Sequence, residues 1–398
     1  MAQPNASVGY AAIKKETTVG TPVTPNVYVP YYKQNMVSDW NTIEDDPIVG
    51  NLFARYQTLP GHRSHKGSIT VMAEGNSLGY FMDMLSTKIA TTGANPYTHT
   101  FKDSITTAPN SYTLDISYGT QVVRFFGVQA EKVTFGWDGD KMTATFDISA
   151  LGSFYEREIA STATTTVTLT TTYDPTPTDG LVVSDLIWIQ TATNTVTSPL
   201  STTVASGITA TAFVAGASAA AFSAGDVVRL RPATPSYTLL APFTWPRTQY
   251  FFAADAATAL TNSATSSNQT RLDSGTEISI ENKFINSDGE NRTGDFDPAA
   301  LLRGQYDVMF KKKQFFDTGE EFKYWNSLVK RACIVRSYAG ATNQYELRVT
   351  LNNIVVRKDS TATDSNAPIY HEIDYAANWD NTDSQAFLVT VINAVSTI

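Results

Sequence analysis

Apolar and polar residues alternate along several stretches of the chain, and this period of two constrains the fold more than any other feature. In 111–118 the pattern puts Leu114 and Asp115 on opposite faces. It recurs in 131–148, around an Asp-Gly turn, and in 345–351. Successive side chains of a strand point to opposite faces of a sheet, so alternation is typical of strands with one buried face. The sequence therefore predicts a mostly β fold.

Composition excludes several classes of function before any motif is considered. The 398 residues include 38 Asp and Glu against 29 Lys and Arg, and a net charge of −9 has the wrong sign for gripping nucleic acid through its phosphates. A single cysteine, Cys333, excludes an intramolecular disulfide and a cysteine-rich metal site. No apolar run has membrane-spanning length, and the N-terminus lacks a signal-peptide pattern. We expect a soluble, acidic protein of a reducing compartment.

Two segments have the spacing of amphipathic helices. In 77–88 apolar residues recur at intervals of three and four, and Ser77 stands at the expected N-cap. In 318–330 the apolar stripe includes Trp325 and Leu328, with acids in the first turn as the helix dipole favours. Each helix is predicted to lie with its apolar stripe against a sheet.

The order of these elements repeats along the chain. A strand at 68–72 precedes the first helix and a strand at 305–310 precedes the second, and an alternating strand follows each helix. Identity between the halves is slight, so the internal duplication is predicted from element order. We divide the chain into a first module at 1–160, an inserted β-rich domain at 161–235 and a second module at 236–398.

The inserted segment has a composition of its own. It contains 26 Ser or Thr in 75 residues and no Lys. Short apolar runs at 185–189 and 225–230 follow turn residues, which is typical of short strands. We predict a small β-barrel inserted between neighbouring chain ends. An ordered long loop of the main domain is the alternative.

The search for a chemical site gives no enzyme signature. The sequence contains no phosphate-binding loop, no dinucleotide fingerprint, no zinc-protease motif and no nucleophile-elbow motif. His62 and His65 form the closest histidine pair, but their Pro-Gly-led loop offers no third ligand, and a contact with another protein is the better interpretation. We predict no enzyme, no cofactor and no metal.

A series of motifs follows an order typical of one known family. In chain order the segments are 16–25, 66–71, 76–85, 97–101, 109–114, 126–135, 147–152 and 277–281. Each is degenerate alone, and the order gives the combination its specificity. With these segments the chain resembles the major tail tube proteins of long-tailed bacteriophages over roughly 1–160 and 240–398, and the insert lies outside the resemblance.

The resemblance implies a β-sandwich or partly rolled sheet with flanking helices. Copies of the chain would form rings whose sheets join into one barrel, and the rings would stack into a hollow tail tube of a virion assembled in the host cytoplasm. The implied partners are further copies of the chain, the tape-measure protein, and tail-terminator or baseplate proteins. Double-stranded DNA would pass through the lumen without specific binding, and no membrane is involved. Two tube modules per chain imply a trimeric ring, and one module implies a hexamer.

Two sets of residues are candidates for these roles. The lumen is predicted to be lined by acids on the polar faces of strands, namely Asp115, Glu131, Asp147, Glu277, Glu281 and Glu346; ordinary outer-surface carboxylates are the alternative. Contacts between stacked rings are predicted for the N-terminal arm at about 1–30 and for the polar loop at 41–65, the latter through Glu44, Asp45, Asp46, His62, Arg63 and His65. The insert would project outward.

Two other functions remain compatible with the sequence. A baseplate hub or capsid-decoration protein shares the β-rich, Thr-rich composition but would not stack into a tube. A carbohydrate-binding β-protein would account for the six tryptophans. However, most of these lie at expected core positions, and no paired catalytic carboxylates occur.

Overall fold

The computed structural model is dominated by strands. It describes residues 9–45, 57–103, 107–163, 165–171, 176, 178–190, 200–216, 222–270, 275–285, 296–315, 320–340, 342–362 and 369–398. Strands account for 56% and helices for 9%, with a closed six-strand barrel and many further strands. The prediction of a mostly β fold is confirmed.

The described residues form 27 strands and three α-helices. The strands before the barrel are β1 (Tyr10–Lys15), β2 (Val27–Val29), β3 (Tyr31–Gln34), β4 (Val37–Trp40), β5 (Ile43–Asp45), β6 (Gln57–Leu59), β7 (Arg63–Met72), β8 (Thr87–Thr92), β9 (Tyr97–Lys102), β10 (Tyr112–Ser117), β11 (Val122–Asp138), β12 (Lys141–Ala150) and β13 (Gly152–Phe154). The barrel strands are β14 (Arg157–Ala163), β15 (Thr166–Leu169), β16 (Leu186–Gln190), β17 (Leu200–Ser206), β18 (Ala212–Ala215) and β19 (Val227–Leu230). The later strands are β20 (Thr248–Ala253), β21 (Gln269–Thr270), β22 (Glu277–Phe284), β23 (Arg303–Phe315), β24 (Arg331–Ala339), β25 (Tyr345–Ala362), β26 (Tyr370–Ala377) and β27 (Phe387–Asn393). The helices are α1 (Gly75–Leu85), α2 (Ala256–Thr265) and α3 (Glu320–Ser327).

One antiparallel sheet runs through both halves of the chain, and we call it the open-faced sheet. Its order is β3 and β4 (end to end along β7), β7, β12, β11, β22, β23, β26 and the second half of β25, which makes eight strand positions. The halves meet where β11 pairs with β22, with Phe135 opposite Ile278. The sheet therefore cannot be completed by either half alone.

A second layer covers one face of the open-faced sheet, and we call it the covering sheet. Its order is β21, β20, β24, the first half of β25, β27, β9 and β8. Aromatic rings join the layers, for example Phe252 of β20 with Phe310 of β23, whose ring centroids lie 6.0 Å apart. Helix α1 is buried between them and stacks Phe81 on Phe146 at 4.9 Å. A single core cluster thus draws residues from both halves.

Strand β11 belongs to several sheets at once. Its first half pairs with β10 and β13, and its second half pairs with β12 and β22. Its first residue, Val122, pairs with Leu230 of the barrel. This 17-residue strand therefore connects the body, the open-faced sheet and the barrel.

The six barrel strands close on themselves. The order around the ring is β14, β15, β18, β17, β16 and β19, which returns to β14. Alternate residues such as Ile187 and Phe213 are fully buried and fill the interior. Arg157 lies opposite Val228, so the chain enters and leaves the barrel at adjacent strands. Five of the six barrel strands lie within 161–235, where the sequence predicts a small barrel, but β14 begins earlier, at Arg157. The boundaries at 1–160, 161–235 and 236–398 stay a prediction.

The helices differ from expectation in three respects. The N-cap of α1 is Glu74 instead of Ser77, because the Glu74 carboxylate accepts the Ser77 and Asn76 N–H groups. Helix α2 has a weak apolar pattern, Ala-Ala-Thr-Ala-Leu, and was not predicted. The apolar stripe of 318–330, which was expected to pack against a sheet, is exposed at two positions. Trp325 is 44% and Leu328 is 62% exposed. The prediction that this stripe lies against a sheet is wrong for these two residues.

Candidate functional site: a polar sheet face between two open edges

The face of the open-faced sheet that points away from the covering sheet is polar. Strand β22 illustrates the cause: Ile278 and Ile280 are buried in the core, whereas the intervening Glu277, Ser279 and Glu281 are not. The same alternation continues in β12, β11, β23 and β26. On these five strands the charged residues of this face are the acids Asp138, Asp147, Glu277, Glu281, Asp307, Glu372 and Asp374 and the lysines Lys132, Lys141, Lys283, Lys311 and Lys313.

The charges of this face are interleaved across neighbouring strands. In one row Asp147, Lys132, Glu281 and Asp307 follow one another by register. The Lys132 ammonium lies 3.6 Å from the Glu281 carboxylate, with both side chains about one third exposed. Strands β3, β4, β7 and β25 add Asp39, Lys33, Lys66, Arg357 and Lys358. Eight acids and nine basic side chains leave the described face close to neutral, and alternating signs prevent a strong field of either kind.

The Asp147 carboxyl shows how the neighbours act on each other. Burial raises its pKa above the ordinary value of 3.8, Lys132 opposes that rise, and Glu281 adds to it. Lys132 and Glu281 thus act on Asp147 in opposite directions.

Three of the six acids predicted for a lumen lie together on this polar face. They are Asp147, Glu277 and Glu281. Glu131 lies at a β-bulge, where the register shifts between Ala130 and Lys132, and its carboxylate accepts the Ser149 hydroxyl at 2.6 Å.

The prediction of an exposed position is wrong for the other two acids, Asp115 and Glu346. Glu346 is 4% exposed and accepts from Arg336 at 2.9 Å and from Arg348 at 2.7 Å. Asp115 is 8% exposed and ion-paired to Arg124. Alternation identifies the polar side of a strand, but it does not reveal that a second element covers that side.

Arg124 joins two buried carboxylates from different parts of the fold. Its guanidinium lies 2.7 Å from Asp115 of β10 and 2.6 Å from Asp185, the residue before barrel strand β16. It also donates to the carbonyl oxygen of Gly180. Burial acts to lower the pKa of Arg124, but the two carboxylates raise it above its ordinary value, so the guanidinium stays charged. This cluster holds the barrel on the body.

The two borders of the open-faced sheet are unpaired in the described part of the chain. At one border the strand pairing of β3 and β4 is with β7 alone among those residues. At the other border the second half of β25 bonds only to β26, apart from the Arg331–Ile354 pair at its start. Unpaired strands present free N–H and C=O groups that template pairing with another chain.

Large apolar side chains are exposed beside both borders. Beside β3 and β4 they are Tyr32, Val37, Trp40, Ile43 and Leu59, and beside β25 they are Trp325, Leu328, Val329 and Ile369. Exposed apolar side chains grouped next to an open strand edge favour an interaction site there.

The residues predicted for ring stacking lie in different environments. Glu44 and Asp45 lie in the exposed hairpin of β5 and β6, and Asp46 lies outside the described residues. His62 is half-buried, and its ring nitrogen Nε2 lies 3.3 Å from the Asn41 side-chain nitrogen Nδ2.

Arg63 and His65 do not have the exposure that a stacking contact requires. Both are buried and bind Asp297, at 2.5 Å from the guanidinium and 2.9 Å from the imidazole. The prediction is wrong for them as exposed contacts. No local pattern indicates this cluster, because Asp297 is 232 residues from His65 in the chain.

The polar face also contains residues that sequence reasoning missed. Asp307, Glu372 and Asp374 belong to it by register. The signal was present for Asp307, because the sequence 307–313 alternates Asp, Met and Lys with Val and Phe. Only the pairing of β23 with β26 brings Glu372 and Asp374 to the same surface.

No group of three or more His, Cys, Asp or Glu side chains suited to a metal ion occurs in the described residues. Nor does any helix there combine the length and apolar character that crossing a membrane requires. Comparison with known proteins finds no protein family and no curated protein that matches the chain.

Proposed function

We propose that the chain is a structural protein that assembles with copies of itself into rings, and that the rings stack into the hollow tail tube of a bacteriophage. The observation that carries this proposal is the open-faced sheet, which has one wet face and two borders that are unpaired in the described part of the chain. The resemblance of the sequence segments to major tail tube proteins supports the same conclusion. The role is structural, and no catalytic step is proposed.

The number of strands supports closure of the sheet between copies. Neighbouring strands are antiparallel throughout the eight positions, so the first and the last run in opposite directions. The β25 border of one copy therefore meets the β3–β4 border of the next in an antiparallel arrangement. A heterologous contact of this kind closes into a ring when the rotation per copy allows it.

Three copies would give a barrel of 24 strands. With strands about 4.8 Å apart and tilted by about 40°, such a barrel measures about 48 Å across its backbone. Barrels of 16–18 strands already enclose an aqueous channel, so a barrel of 24 leaves an open lumen. The polar face would line that lumen, and the barrel of β14–β19 would project from the outside.

The charge of the polar face suits the passage of DNA. Nucleic-acid-binding surfaces carry clustered Lys and Arg that neutralise phosphates. Here acids and basic side chains are nearly equal in number, and the lysines are interleaved with acids such as Glu281 beside Lys132. A wall of this kind offers duplex DNA no continuous basic track, so that DNA slides through without being retained.

The test is the assembly of a border variant. Trp325→Asp places a charge in the exposed apolar surface beside β25, and Leu260→Asp places one on α2, away from both borders; Trp325 is 44% and Leu260 45% exposed. We expect rings or tubes of wild type and Leu260→Asp in electron micrographs, and dispersed chains of Trp325→Asp.

Other outcomes decide against the proposal. A wild-type chain that stays monomeric at high concentration contradicts self-assembly. Single rings that never stack favour a baseplate or decoration protein instead. Equal assembly of both variants contradicts the assignment of the border, while circular dichroism confirms that each variant is folded.

A further inference from the structure

A cavity of about 1000 Å³ opens between the two sheets, where β22 ends and β23 begins. Its apolar wall includes Val19, Leu151, Leu302 and Trp379. Its polar residues include Asp103, Asn282 and Arg303. The volume lies at the upper end of the range for ligand pockets, and an apolar wall with a few polar groups is typical of such pockets.

Two buried oxygen atoms of this cavity lack a hydrogen-bond partner in the described part of the chain. They are Oδ1 of Asp103 and Oδ1 of Asn282. The side chains belong to residues that are only 9% and 3% exposed. Buried polar atoms are nearly always hydrogen-bonded, and an unmade bond costs free energy. Both atoms are acceptors, so the missing groups are hydrogen-bond donors, and the carboxylate of Asp103 favours a donor with positive charge.

Arg303 does not supply that charge, because it is engaged elsewhere. Its guanidinium donates to the carbonyl oxygens of Met84 at 2.9 Å and Leu85 at 3.3 Å, at the C-terminal end of α1, and it lies 5.0 Å from the Phe284 ring. A cation in this position is favoured by the helix dipole. Burial lowers the pKa of Arg303 to about 10. Its Nε is the third unpartnered polar atom of the cavity, and it is a donor.

Tyr306 is close enough to Asp103 and Arg303 to respond to both charges. Burial raises the pKa of its hydroxyl, Arg303 lowers it, and Asp103 raises it. Asp103 and Arg303 form no ion pair with each other among the described residues. An occupant therefore meets an acidic acceptor and a separate N–H donor in one apolar space.

We propose that this cavity binds an alkylammonium group on an apolar stem, with the ammonium at Asp103 and Asn282 and an acceptor of the same ligand at Arg303 Nε. A lysine side chain of a peptide supplies all three features, since its own backbone carbonyl is the acceptor. A free alkylamine supplies the first two. The inference does not depend on the assembly of the chain into a tube.

The experiment is calorimetric titration of the full-length chain with three probes. They are acetyl-Ala-Lys-Ala-amide, the same peptide with norleucine in place of lysine, and n-butylamine. We expect saturable binding of an ammonium-bearing probe, and affinity at least about tenfold weaker for the norleucine peptide, because a charge-assisted hydrogen bond is lost. Tighter binding of the lysine peptide assigns a peptide ligand, and tighter binding of butylamine assigns a free amine.

Three variants complete the test. Asp103→Asn is expected to weaken binding by about tenfold or more, and Asp140→Asn, which removes an exposed carboxylate from the distant β11–β12 turn, leaves it unchanged. Ala300→Phe narrows the cavity without altering a polar atom and should also abolish binding. Equal affinity for the lysine and norleucine peptides, unchanged affinity of folded Asp103→Asn and Ala300→Phe, or no saturable binding of any probe overturns the proposal.

Discussion

Arg124 links three distant parts of the sequence through buried ion pairs. Asp115 of β10 and Asp185 beside the barrel approach it closely, and Asp185 also accepts from the Thr24 hydroxyl at 2.8 Å. A buried pair is costly to break, because the remaining charge has no water to solvate it. Arg124 is therefore one of the contacts that hold the barrel on the body, together with the pairing of Val122 with Leu230.

We predict that Arg124→Met lowers the free energy of unfolding by about 3–5 kcal/mol, the usual cost of removing one partner from a buried pair. Lys132→Met is the matched control, because Lys132 forms a half-exposed pair with Glu281 at 3.6 Å. Loss of this ion pair should lower the free energy of unfolding by less than about 1 kcal/mol. Urea unfolding followed by circular dichroism measures both. Similar values for the two variants would contradict the assigned role of Arg124.

A second prediction concerns His99, a fully buried ring of β9. Its Nε2 donates to the carbonyl of Val395 at 2.8 Å, and its Nδ1 lies 3.0 Å from the Thr91 hydroxyl. Burial lowers the pKa of His99 below its ordinary 6.5. Between the lowered pKa and 6.5 the unfolded chain binds more protons than the folded chain, so stability falls as pH drops below about 6.5.

The measurement is the melting temperature at about pH 7.5 and about pH 5.5. We expect His99→Gln to lose less on acidification than wild type. His62→Gln, at a half-buried ring on a loop, should behave as wild type. An identical acid-induced loss in wild type and His99→Gln would show that other groups cause it.

Single-residue prediction from the sequence succeeds where only the local pattern matters. Alternation places Glu277 and Glu281 on one face and Ile278 on the other, as found. It fails for His65 and Asp115, because their environment depends on elements that the local pattern does not include. Burial of a polar side chain is a property of the packed molecule.

At the scale of elements, helix α1 begins with an unusual cap. Glu74 is fully buried, and its carboxylate accepts from the Ser77 N–H at 2.6 Å, the Asn76 N–H at 3.0 Å and the Leu240 N–H at 3.3 Å. The Glu74 carboxylate therefore satisfies two N–H groups in the first turn of the helix and also binds the segment that precedes β20. The usual preference for Ser, Thr, Asp or Asn at the N-cap does not predict a glutamate at this position.

We predict that Glu74→Ala lowers the free energy of unfolding by about 1–3 kcal/mol, because two buried N–H groups and one half-buried N–H group lose their acceptor. Asp255→Ala removes the corresponding cap of α2, where the Asp255 carboxylate accepts the Thr258 N–H at 2.7 Å at an exposed site. Water replaces that acceptor, so a smaller loss is expected. Thermal unfolding of both variants provides the comparison, and a larger effect at Asp255 would refute the argument from burial.

Strands were more predictable than helices in this chain. The alternating stretches at 111–118, 131–148 and 345–351 correspond to β10, β11 with β12, and the first half of β25. Helix α2 was not predicted, because an Ala- and Thr-rich segment has little contrast between an apolar and a polar face. The exposed side of α3 shows the limit of periodicity: an apolar stripe indicates a surface to be covered, but not what covers it.

At the scale of the whole molecule, the two halves share one sheet and one core. Residues of the first half such as Phe146 and of the second half such as Tyr375 belong to the same cluster. The sequence indicated two similar runs of elements but not their union, because pairing of β11 with β22 connects positions far apart in the chain. The shared sheet supplies eight strand positions per copy.

We predict a ring of three copies. Three chains of 43.4 kDa give a mass of about 130 kDa, whereas a hexamer would be about twice as heavy. Native mass spectrometry of rings released from tubes, or a symmetry count in end-on images, distinguishes the two. A sixfold ring of whole chains would require that each copy contributes about half of its open-faced sheet to the barrel wall.

The position of β22 in the sequence has a consequence for synthesis on the ribosome. Strand β11 ends at Asp138 and its neighbour β22 begins at Glu277, 139 residues later. At about 5–20 residues per second, the nascent chain waits about 7–28 seconds before β11 acquires that neighbour. The outermost strand, β25, emerges later still. Translation order thus delays the second border until after β22, β23 and β24 have been made, and the assembly proposed above cannot begin through that border on shorter nascent chains.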